Sequence, residues 1–209
     1  MKFEDALKII GDEPVFGSDI LSVDYPNETE LSRQIARWVR SGYLLQLRRG
    51  LYALSKDYHK KRPHPFYIAN RLKKASYVSL HSALAHHGLI PEHVPIVTSV
   101  TTGRPEKRTT PLGGFLFKHV KPGLFFGYEV MDAGDGQNVF IAKPEKAFLD
   151  LAYLTPGSDD PEYVRGLRLQ NLSVLGKGSL FNFAEMSGSR KLIRAVRIFE
   201  SIRSELEKS

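Results

Sequence analysis

The stretch that decides how this chain folds is Glu28–Leu54, ETELSRQIARWVRSGYLLQLRRGLYAL. Its apolar residues Leu31, Ile35, Trp38 and Val39 fall at i, i+4, i+7 and i+8, the stripe a half-buried helix needs, so a helix is predicted over residues 28–41. Asn27 stands where an N-cap belongs. Glu28 and Glu30 in the first turn, and Arg37 and Arg40 near the end, suit the helix dipole. Gly42 ends the helix, and the two apolar runs of 43–54 around Arg48-Arg49-Gly50 read as a β-hairpin with a cationic tip.

Upstream, Phe3, Ala6, Leu7 and Ile10 recur at helical spacing before Gly11. Val15, Phe16, Ile20 and Leu21 suggest a second short helical segment, opened by Ser18 or Asp19 and broken at Tyr25-Pro26-Asn27. Helix, helix, longer helix and hairpin is the order of a winged helix-turn-helix, assigned to residues 1–57. Its third helix would enter a DNA major groove with Thr29, Ser32, Arg33, Gln34, Arg37 and Arg40 off the apolar face. Arg48 and Arg49 of the wing would meet phosphates. Arg and Gln can bond guanine and adenine edges in pairs, whereas the wing tip positions without reading sequence.

Charge supports this reading by its position. Residues 1–32 hold two bases against eight acids, a balance of −6, and residues 33–62 hold nine bases against one acid, a balance of +8. A cationic block on so short a segment suits a polyanion, because clustered Lys and Arg displace counterions from phosphates. A solvated face, or a winged helix that binds an acidic protein, would carry the same charges.

Residues 55–64, SKDYHKKRPH, form a polar linker, and a second domain is expected over 63–209. Residues 65–74 and 79–87 read as helices. Strands are expected at 95–102 and 115–120, paired antiparallel across a flexible cationic loop, and at 127–131 and 138–142, joined by a tight turn at Asp135-Gly136. Helices begin at Pro144 and Pro161, and residues 189–207 make a final amphipathic helix. The expected class is α+β: a winged helix-turn-helix, then a mixed α/β domain with antiparallel strands and a C-terminal helical region.

The 209 residues carry a net charge of +7, are 42% hydrophobic and 25% charged, and include no cysteine. These are globular proportions, and the absence of cysteine excludes disulfide scaffolds, thiol nucleophiles and cysteine-ligated metals. No stretch approaches the roughly 18 apolar residues of a membrane span, and acids interrupt every apolar run at the N-terminus, so a cytoplasmic location and no membrane partner are expected.

Catalytic signatures are weak. His81, His86 and His87 lack the i, i+4 spacing of ligands on one helix face, and Glu145 and Asp150, five apart, diverge around their helix with Lys146 facing solvent. Gly176-Lys177-Gly178-Ser179 lacks the spacing of a phosphate loop and reads as a turn. No catalytic residue, metal or cofactor is assigned. An enzyme acting on nucleic acid, its acids or histidines gathered by folding, is the competing reading.

In order along residues 43–154, RRGLYAL, YVSLHSALAHHGLIPE, VTSVTTGRPEKRTTPLGGFLFKHVKPGLFFGYE and IAKPEKAFLDLAYL resemble the AbiEi-like antitoxins of type IV toxin–antitoxin systems. The resemblance implies a non-enzymatic protein whose N-terminal winged helix represses its own operon at inverted repeats in double-stranded DNA. It implies a C-terminal domain that counteracts a nucleotidyltransferase-like toxin without a stable complex. It also implies a second basic surface, for which Arg190, Lys191, Arg194 and Arg197 are the candidates. A stand-alone regulator without a toxin would read much the same.

Overall fold

The structure, a computed structural model, describes residues 2–24 and 27–206. The first elements are α1 (Phe3–Ile10), the two-residue β1 (Phe16–Gly17), a 3-10 helix (Ser18–Asp24), α2 (Glu28–Arg40), β2 (Leu44–Arg48) and β3 (Leu51–Leu54). The expected second helix is thus a tighter 3-10 segment, and the break placed at Tyr25-Pro26 lies outside the described residues. Asn27 caps α2 as its position predicts, its Oδ1 accepting from the amides of Thr29 (3.1 Å) and Glu30 (3.2 Å). β1, β3 and β2 form an antiparallel sheet in that order. The hairpin turns at Arg49-Gly50, where Gly50 takes φ +73°, a value that costs a side chain but not glycine.

Ala6, Ile10, Phe16, Leu21, Leu31, Ile35, Trp38, Leu44, Tyr52 and Leu54 close a first core. Strand alternation sends the hairpin's other residues the opposite way. Leu47, Leu51 and Ala53 join a second, larger core, so β3 is buried on both faces. The hairpin is shared between the N-terminal helices and the rest of the chain.

The second unit contains α3 (Pro65–Leu72), β4 (Ser76–Val78), α4 (Leu80–His86), β5 (Ile96–Thr101), β6 (Glu106–Thr110), β7 (Gly113–His119), β8 (Tyr128–Asp132), β9 (Asn138–Ala142), α5 (Pro144–Leu154), α6 (Pro161–Gly166), α7 (Lys177–Met186) and α8 (Arg190–Leu206). Its mixed six-stranded sheet has the order β6-β7-β5-β4-β9-β8. The architecture is α+β, as expected, but the pairing of β5 with β7 is not: these strands run parallel, Ile96 opposite Gly114 through Thr101 opposite His119. The supposed loop between them holds β6, an edge strand antiparallel to β7 that carries the chain back so that β7 can run alongside β5. Its charged text, EKRTT, is what an exposed edge requires. The β8–β9 hairpin forms as read, with Asp135 (φ 55°) and Gly136 (φ 73°) both left-handed at its tip.

Two further expectations are corrected. Gly176 opens helix α7 and does not merely make a turn. Lys146 is buried within α5, where burial lowers its pKa, and its ammonium pairs with Asp150 one turn on. Asp150 Oδ2 accepts from the hydroxyls of Tyr77 (2.9 Å) and Ser79 (2.7 Å), while burial pushes its carboxyl up against the pull of Lys146. Glu145 turns elsewhere and accepts from the Gly176 amide at 2.9 Å. Helices α4, α7 and α8 pack around α5, and the rings of Tyr77 and Phe126 close over Lys146, which is why a Lys–Asp pair that would be solvated on a surface helix is internal here.

Candidate nucleic-acid interface

Because Leu31, Ile35 and Trp38 face the first core, the opposite side of α2 is left to solvent. Thr29, Arg33, Arg37 and Arg40 lie on that side and are exposed, as are Ser32 beside them and Arg49 at the hairpin tip. Arg33, Arg37 and Arg40 follow the i, i+4, i+7 spacing and span about 10 Å along the axis. Among the described residues none of these four arginines forms an ion pair with a carboxylate. The cationic face is open.

Between α2 and the hairpin runs a groove of about 550 Å³, with Ser32, Ala36 and Val39 on one wall and Gln46, Arg49 and Tyr52 on the other. Asp19 and Glu28 also line it. Asp19 is folded back onto Gly17, where even a Cβ would collide with it.

Two predicted contacts sit differently. Gln34 is half-buried on the flank of α2. Arg48 is half-buried too: its Nη1 donates to the carbonyl of Arg49 at 3.1 Å, and its Nε is buried without a partner. The packing of the hairpin's outer face on the second core explains this, since β2 lies against β6 there.

The second basic surface is half occupied. Lys191 donates to the carbonyls of Tyr153 and Thr155, closing the C-terminal end of α5, and Arg194 bonds Asp159 at 2.8 and 2.9 Å. Arg190 and Arg197 are exposed. The histidines are structural where their contacts are given. His64 caps α3 through Nδ1, which accepts from the Phe66 amide at 3.2 Å, and His87 Nε2 meets the Ala142 carbonyl at 2.8 Å. Among the described residues no group of three or more His, Asp or Glu could hold a metal ion, and no helix is long and apolar enough to cross a membrane.

What the sequence reading missed lies in the second unit: the buried Lys146–Asp150 pair, and the linker's role as the wall of a cavity. The first had a signal, an i, i+4 Lys–Asp pair embedded in Ala147, Phe148, Leu149 and Leu151.

No protein-family model matches this sequence, and no curated protein is a match to it. Among solved structures the chain is similar to the crystal structure of the RV2827C protein from Mycobacterium tuberculosis, with a TM-score of 0.53 over 97% of this chain and 80% of that one. The two are 11% identical in sequence, so the likeness is one of α+β fold alone.

Proposed function

We propose that this chain is a winged-helix DNA-binding regulator that represses its own operon, with α2 as the recognition helix and the β2–β3 hairpin as a short wing. The observation that carries this reading is the open arginine face of α2 beside an unpaired Arg49. The element order and the β1-β3-β2 sheet suit the same assignment. Arg33 and Arg37 read base edges, Arg40 and Arg49 hold phosphates, and Gln34 and Arg48 support from the flanks.

The proposed role is non-enzymatic. The reading is supported by the buried polar cluster of Tyr77, Ser79, Lys146 and Asp150, whose side chains bond one another in the interior. From the resemblance of residues 43–154, we further propose that the second unit counteracts a nucleotidyltransferase-like toxin encoded beside it. Rescue of cells expressing that neighbouring gene tests this arm.

DNA binding is tested by fluorescence anisotropy with a duplex taken from immediately upstream of the gene. Two cations set against phosphates per copy, Arg40 and Arg49, predict a log–log salt slope of about −2, doubled to about −4 if two copies fill an inverted repeat. Affinity that is flat with salt, or equal for a scrambled duplex, overturns the reading.

A further inference from the structure

The linker does more than connect. Its first half is fixed to the N-terminal helices: Tyr58 packs edge-on to Phe3 at 5.0 Å, and Lys60 pairs with Asp12 at 2.9 Å. Its second half is fixed to the β8–β9 turn by Gln137, which donates to the Arg62 carbonyl (3.0 Å) and accepts from the His64 amide (2.8 Å). Between these two anchorages the linker walls a cavity of about 930 Å³, near the top of the roughly 300–1,000 Å³ range of small-molecule sites.

The lining has two characters. Leu45, Leu54, Pro63 and Leu112 give it apolar walls. Lys56, His59 and Arg62 bring cationic or titratable groups to it against a single carboxylate, Asp135. Lys56, Arg62 and Asp135 form no ion pair among the described residues, so two cations face one carboxylate across the lining and neither is tied down by it. Ser55, also in the lining, is 8% exposed, and its hydroxyl is buried with no hydrogen-bond partner.

We propose that this cavity binds a small organic anion: an apolar body that fills the Leu45–Leu54–Leu112 walls and carries one anionic head held by Lys56 and Arg62. Carboxylate, sulfonate and phosphate all serve as the head, since an ammonium and a guanidinium at a rim bind each. The inference goes beyond the DNA-binding reading and stands without it.

The test uses the full chain and two fluorescent probes sharing a fused-ring body. One is 8-anilinonaphthalene-1-sulfonate, which has the anionic head, and the other is N-phenyl-1-naphthylamine, which lacks it. The proposal expects saturable one-to-one binding of the sulfonate probe, displacement by octanoate, and none by inorganic phosphate, which has no apolar body. The double variant Lys56→Ala/Arg62→Ala, at exposed positions and with folding checked by circular dichroism, weakens the sulfonate probe about tenfold or more, a single charge-assisted bond being worth at least that. It leaves the neutral probe within about twofold. Leu112→Trp, which fills the space, removes both. Unsaturable binding, an unchanged affinity in the double variant, or displacement of the probe by a short duplex DNA overturns the proposal. The last result would assign these cations to the nucleic-acid surface. The octanoate and duplex arms use the unaltered protein and hold even if a variant fails to fold.

Discussion

Replacing Lys146 with methionine breaks the buried pair of α5 while keeping a side chain of similar length against the rings of Tyr77 and Phe126, which lie 5.6 and 5.2 Å from the lysine nitrogen. Asp150 then stays in the interior with two hydroxyl donors and no counter-charge. Removing one partner of a buried pair typically costs about 3–5 kcal/mol, and a chain of this size loses roughly 2–4 °C per kcal/mol, so Tm should fall on the order of 10 °C. The loss has a sign in pH. Burial already raises the Asp150 carboxyl, and Lys146 opposes that; without the lysine the folded-state pKa rises further above the unfolded one. A carboxyl raised by folding contributes stability that is complete below its unfolded pKa and lost as pH climbs through the folded value. The deficit of Lys146→Met relative to the unaltered protein should therefore be larger at about pH 8 than at about pH 5. His64 and His86, both lowered by burial, titrate in either protein and cancel in the difference. Urea denaturation followed by circular dichroism at the two pH values reads both effects. A deficit under about 1 kcal/mol, or one independent of pH, would refute the argument that the pair is an internal charge network.

Three further outcomes rest on individual residues. Gly127→Ala places a Cβ 3.1 Å from Lys146 Cγ and from a Phe183 ring carbon at φ +72°, and should cost about 2–4 kcal/mol in the same denaturation assay. Asn27→Ala removes two cap hydrogen bonds from α2 and should lower stability by about 1 kcal/mol, with Asn27→Gly recovering most of it. Arg49→Ala should weaken every duplex alike and reduce the magnitude of the salt slope by about 1; a selective loss for the upstream duplex would place Arg49 on bases instead of phosphates.

The N-terminal unit was legible because its signals are local. One helix face repeats at Leu31, Ile35 and Trp38, a cap and a glycine bound it, and Arg49-Gly50 can only turn. The second unit was legible in part. The β8–β9 hairpin announces itself through Asp135-Gly136, whereas β6 hides in charged text because an edge strand needs little apolar surface. The parallel pairing of β5 with β7 depends on which strand lies next to which, and no residue of either strand encodes that alone. Lys146 misled for a related reason: its burial is decided by Tyr77, Phe126 and Gly127, which are distant from it in sequence. The cavity drew its walls from residues 45–137 and could not be assembled by spacing. Arg48 shows the hazard of reading a hairpin without its neighbours, since the outward face it was assigned is covered by the second unit.

The exposed guanidinium groups of α2 are proposed to read sequence in a DNA groove. The most direct measurement is the ratio of affinities for the upstream duplex and a scrambled one, compared between the unaltered protein and Arg33→Ala/Arg37→Ala at one fixed salt concentration. Removing each bidentate arginine–base pairing should lower that ratio by about 1–3 kcal/mol, while binding to the scrambled duplex weakens far less. An unchanged ratio, with both duplexes weakened equally, would contradict the account and leave α2 as a phosphate-binding face without a reading role.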